Sequence, residues 1–155
     1  MPVNVRLFNV FDEACECRQI NPPTYENVAG FFVHLIGRPG FMDSVAVGAV
    51  VLFERAVAAL LARGLWTTSC WRQVLLASLI LAQKFILDVP LSASSFGELA
   101  QVASFSSGDV LLLSKRDVIA LELALYLTLD CNAGFSHDEY AAMAAAVGLN
   151  HDDAQ

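Results

Sequence analysis

Residues 71–87 read WRQVLLASLILAQKFIL, and Lys84 is the only charge between Gln73 and Leu87. A surface helix shows one apolar stripe, whereas this stretch is apolar nearly all round, the pattern of a helix packed on several sides. Thr67 or Thr68 opens it, and Asp88-Val89-Pro90 closes it. It is therefore expected at the centre of a helical domain, with the other elements arranged around it.

The flanking segments read as helices too. Upstream, Asp43 or Ser44 caps VAVGAVVLFERAVAALLARG, which ends at Gly64. Before that, Pro22-Pro23 sets up a helix from Thr24 to Leu35, stopped by Gly37-Arg38-Pro39-Gly40. Downstream, three serines each precede an acid by three residues, the signature of a capping box. Ser95 with Glu98 starts a short helix ending near Ala103. Ser114 with Asp117 starts VIALELALYLTLD, and Ser136 with Glu139 starts EYAAMAAAVGL. No segment alternates with period two for long, and Val110–Leu113 is either a stray extended piece or the end of a loop. The fold class is all-α: about five helices around a central buried third helix, plus an additional C-terminal helix. Residues 1–21 form an extended or irregular N-terminal arm, 22–148 one helical domain and 149–155 a tail.

Composition narrows the function. The chain has 155 residues, 56% hydrophobic and 16% charged, which suits one domain with a sizeable core and excludes disorder for most of it. Nine Lys and Arg against sixteen Asp and Glu give a net charge of −7, with no basic run. That balance argues against gripping a phosphate backbone or an anionic lipid surface, so no nucleic-acid and no membrane partner is expected. The longest apolar runs, Val45–Leu61 and Val74–Leu87, are interrupted by Glu54-Arg55 and Gln83-Lys84. Both fall short of the about 20 uninterrupted apolar residues of a membrane span. The first residues carry acids where a signal peptide would be apolar. Four unevenly spread cysteines (Cys15, Cys17, Cys70, Cys131) fit a reducing compartment, cytoplasmic and/or nuclear.

Catalytic and metal chemistry find little support. The cysteines and three histidines form no CxxC or HxxxH spacing, so no metal is expected. Cys70 and Cys131 read as core residues, His34 as a core or groove histidine, and Trp66 and Trp71 as packing anchors. No glycine-rich phosphate cradle appears, and no turn supports a cysteine nucleophile. The expectation is a protein that is not an enzyme and uses no cofactor.

Three charged spots interrupt the apolar helices: Glu54-Arg55, Lys84 and Glu122. Glu122 lies in IALELALYL, where an unpaired buried charge would cost several kcal/mol. One reading is a structural ion pair, or side chains snorkelling to the surface. The other is that Lys84 and Glu122 emerge together on an exposed apolar patch and offer a donor and an acceptor to a partner. Periodicity does not choose between them.

AVVLFERAV, LLASLILAQKFILD, DVIALELALYLTLDCN and SHDEY, in that order, resemble the cyclin box. The family's third helix follows a pattern like LxxxLLxAxKFxxD, here Leu75 through Ala82, then Lys84, Phe85 and Asp88. Glu122 and Tyr140 sit at the spacing of cyclin Y and the phosphate-pathway (P- or U-type) cyclins. The resemblance covers residues 22–148 and implies a single cyclin box that binds and activates a cyclin-dependent protein kinase by packing on its C-helix. It implies that Lys84 and Glu122 hydrogen-bond kinase backbone, with Phe85 and Leu129 as apolar neighbours. It also implies Arg55 as an internal clamp and Asp88 as the end of its helix.

Departures from the family pattern are equally specific. The first helix reads ENVAGFFVHLI, without the Met-Arg-Ala-Ile-Leu motif that recruits substrates to cell-cycle cyclins. Cys131 and Ala133 stand where a large aromatic and a larger aliphatic residue are common. Residues 104–113 are longer than most relatives need, and no second box follows. A cyclin-fold interaction module that binds without activating is the alternative, followed by a nucleic-acid-binding cyclin fold and, last, an enzyme.

Overall fold

A computed structural model describes residues 16–17, 31–33, 35–36, 43–64, 71–87, 92, 95–98 and 111–146. Four helices are defined end to end: α1 (Asp43–Ala62), α2 (Trp71–Ile86), α3 (Lys115–Thr128) and α4 (His137–Ala146). Residues 31–33, 35–36 and 95–98 are also helical. The only strands among the described residues are β1 (Glu16–Cys17) and β2 (Leu111–Leu112), an antiparallel pair with Glu16 opposite Leu112. The chain is all-α. The extended piece anticipated at 110–113 is real, and its partner lies in the N-terminal arm.

α2 is the hub. Every residue from Trp71 to Gln83 is buried, and α2 packs extensively on α1 and also on α3. Thirteen buried residues in succession fit a helix enclosed on all sides, and each buried leucine or isoleucine there contributes about 1.5–3 kcal/mol. The Ser78 hydroxyl donates to the Val74 carbonyl at 2.8 Å, which satisfies it inside the core. Arg72 is the largest fully buried side chain. Its guanidinium lies 4.2 Å from the Trp71 ring centroid and 5.9 Å from that of Phe31, a cation held between aromatic faces. Trp71 meets Phe31 edge-on at 5.3 Å, which docks the helical residues 31–33 and 35–36 on the hub and makes Trp71 an anchor.

The helix ends follow local chemistry. α1 stops with Gly64 at φ +67°, in the left-handed region a C-terminal glycine favours. α3 begins with the expected box: Ser114 Oγ accepts from the Asp117 N–H at 3.1 Å, and Asp117 Oδ2 accepts from the Ser114 N–H at 2.9 Å. α4 repeats it with Ser136 and Glu139, at 3.1 and 3.2 Å. Ser95 departs from expectation. It is already helical, and its N–H donates to Ser92 Oγ at 3.2 Å, so the short helix is capped one turn earlier.

Two further expectations change. Cys131, read as a core residue, is exposed in the turn after α3, where φ of +61° turns its side chain out of the helix path. α1, read as too interrupted, is long and apolar enough to cross a bilayer by length and composition. Here eight of its residues, from Val45 to Leu60, are buried instead, and Arg55 is bonded to the α3–α4 turn. Thr67, Thr68, Trp66, His34, His151, Cys15, Cys70 and Asp88 lie outside the described residues, as do most of the 1–21 arm, the expected end of the short helix near Ala103 and the 149–155 tail.

Candidate docking face

α3 carries apolar residues around its whole circumference but is not enclosed. Val118, Leu121, Ala124, Leu125 and Thr128 face the core. Ile119, Leu123 and Tyr126, spaced i, i+4, i+7, share another face and are 49%, 56% and 38% exposed, with Leu127 beside them at 39%. Apolar nearly all round in sequence, this helix nonetheless leaves one face open. An apolar circumference describes a helix buried in its own domain and one awaiting a partner equally well. Leu81, Ile119, Glu122, Leu123 and Tyr126 line a shallow groove where α3 meets α2.

Lys84 and Glu122 meet at the margin of this face. The Lys84 ammonium donates to Glu122 Oε1, joining the last turn of α2 to the middle of α3. Their side chains keep 46% and 20% of their surface exposed. The charges are paired, as the first reading has it, and the pair stands beside exposed apolar residues. In the last turn of α2, Lys84 also faces the negative end of the helix dipole. An exposed pair of this kind contributes about 0.2–1 kcal/mol to folding, too little to explain two charges among so many apolar neighbours.

Phe85 is 53% exposed and adjoins the pair. Its ring meets Phe135 at 4.9 Å, and Phe135 in turn stacks on Tyr140 at 6.3 Å with 19° between planes. Leu129 behaves differently. Expected beside Phe85 on the contact face, it is 5% exposed and belongs to the core. It is the C-cap of α3 and, four residues after Leu125 and eight after Leu121, continues the buried stripe of that helix.

Arg55 is placed as an internal clamp. Its Nη1 donates to the Asn132 carbonyl at 3.2 Å and the Gly134 carbonyl at 2.8 Å, and its Nη2 contacts Glu139 Oε2 at 2.5 Å. One side chain of α1 thereby fixes the α3–α4 turn and the first turn of α4. The Ser136 backbone N–H, with Arg55 beside it, holds the Glu139 carboxyl below its ordinary value. The sequence analysis missed a second arginine of this kind. Arg63, just past α1, donates to the Thr128 carbonyl at 3.2 Å and lies 3.5 Å from Asp130, capping the end of α3. Its isolated position near a helix end offered no spacing signal.

Among the described residues, no three His, Cys, Asp or Glu side chains group as metal ligands. Scans against protein-family models, curated proteins and solved structures each return no match.

Proposed function

We propose that this chain is a cyclin-like regulatory subunit that binds and activates a cyclin-dependent protein kinase by packing on its C-helix. One observation carries the reading: a Lys–Glu pair, Lys84 with Glu122, stands at the edge of an open apolar face built from Phe85, Ile119, Leu123 and Tyr126. Lys84, Phe85 and Glu122 are landmark positions of the cyclin-box resemblance. An interface core needs apolar and aromatic side chains that lose their water, plus a few polar groups that set register. The face supplies the first, and the ammonium and carboxylate supply the second. A partner that prefers this face in its active conformation is shifted toward that conformation by binding. The chain itself performs no chemistry. The kinase's own Lys–Glu pair and activation segment do that work once its C-helix is in place.

The charge-swapped variant Lys84→Glu with Glu122→Lys tests the proposal. It keeps an internal ion pair, so circular dichroism and thermal unfolding should match the wild type, while the donor and acceptor offered to a partner are exchanged. Purified cyclin-dependent kinases are titrated with each form, following both binding and phosphorylation of a peptide. Binding and activation by the wild type, lost in a folded swap, support the proposal. Equal behaviour of both forms overturns the docking role, and binding without activation leaves an interaction module instead.

A further inference from the structure

Half of the Phe85 surface is open to solvent, yet its ring is held from below. A Cβ on Gly134 would lie 3.3 and 3.5 Å from Phe85 Cε2 and Cζ, so the ring rests on bare backbone. Phe135 closes its other side at 4.9 Å. Phe135 is itself wedged against α1: a Cβ on Gly48 would come within 2.6 and 2.9 Å of its ring, closer than such contacts occur. Tyr140 stacks behind Phe135, and Arg55 binds the carbonyls of Asn132 and Gly134, fixing the backbone under the stack. Glycines on two elements, an arginine and two aromatic rings converge on one half-exposed side chain.

We infer that Phe135, seated on Gly48 and backed by Tyr140, is a positioning residue that presents Phe85 in a fixed orientation to the kinase; this rests on the docking role proposed above. Ordering an aromatic anchor before binding removes an entropy cost that would otherwise weaken the complex. A large residue held in one pose at an interface is the kind of group that dominates affinity.

The test uses the full chain with 4-fluorophenylalanine incorporated at position 85, read by fluorine NMR, and the purified kinases titrated as before. Phe135→Ala is expected to move the fluorine resonance toward that of the free amino acid and to weaken kinase binding by about 30-fold, as Phe85→Ala does. The double variant Phe85→Ala with Phe135→Ala should bind no worse than either single one, because Phe135 acts through Phe85. Phe135→Leu, which keeps apolar bulk without a para substituent against Gly48, should restore both readouts in part. Gly134→Ala pushes the Phe85 ring without opening a cavity and supplies the same readouts if Phe135→Ala fails to fold. Additive losses in the double variant, or a resonance unmoved in both Phe135→Ala and Gly134→Ala, overturn the positioning role. A wild type that binds none of the kinases overturns the docking role on which it rests, so the two failures are told apart.

Discussion

Cys131 occupies a backbone conformation that costs an L-residue about 1–2 kcal/mol. Its φ is +61°, and Asp130 before it is at +53°. The bonds from Asp130 N–H to Leu127 O (3.1 Å) and Cys131 N–H to Tyr126 O (2.9 Å) form the double closure that glycine usually makes at a helix end. Here Arg63 holds Asp130 and the Thr128 carbonyl and secures the turn without glycine. Cys131→Gly is therefore expected to raise stability by about 1 kcal/mol, seen as a higher thermal midpoint. Gly48→Ala should act in the opposite sense, lowering stability by about 1–3 kcal/mol as Phe135 is forced aside. A denaturant series on both variants checks the pair. At this scale the sequence was legible where chemistry was out of place. Lys84 and Glu122 were found because charges inside apolar helices are costly. Arg72, at the start of its helix, interrupts no apolar run and gave no signal; the rings of Trp71 and Phe31 reveal its buried place. Leu129 was misplaced because the resemblance put it on the contact face, whereas its spacing of four residues after Leu125 and eight after Leu121 continues the buried stripe.

Caps, clamps and helix faces decide how the elements sit. The Ser114–Asp117 and Ser136–Glu139 boxes were readable from four-residue spacings because both partners lie within one turn. The Arg55 bridge joins residues 77 to 84 positions apart, a separation that no local pattern encodes. It makes α4 pH-sensitive. Glu139 is held below its ordinary value of 4.5, first by the Ser136 backbone bond and then by Arg55. A lowered folded value means that its stabilisation is complete above the unfolded carboxyl's value and is lost as pH falls through the lower folded one. Helicity of α4 should thus hold down to about pH 4.5 and decline below it. Glu139→Gln should remove that decline and weaken the hold of α4 on α1 at neutral pH, with amide exchange of Ala141–Ala144 as the readout.

Across the whole molecule, an enclosed α2 and a half-open α3 separate folding from docking. α2 was recognised as central because no charge interrupts Val74 to Ala82. The open face of α3 stayed one of two readings, since period alone does not tell a core from an exposed apolar surface. Two leucines of α3, two residues apart, expose the difference. Leu121 is fully buried, and Leu121→Ala removes about 2–5 kcal/mol of stability through lost burial and a cavity. Leu123 is 56% exposed, and Leu123→Ala should change stability by less than about 0.5 kcal/mol. Toward a kinase the order reverses. Leu121→Ala, studied where it remains folded, should bind nearly as the wild type, whereas Leu123→Ala loses an apolar contact at the centre of the face and should bind at least about fivefold more weakly. Chemical denaturation and kinase titration on the same two proteins read both quantities. If both substitutions weakened folding alike, the α3 face would be part of the domain's own packing, and an enclosed helix rather than a docking surface would account for its leucines.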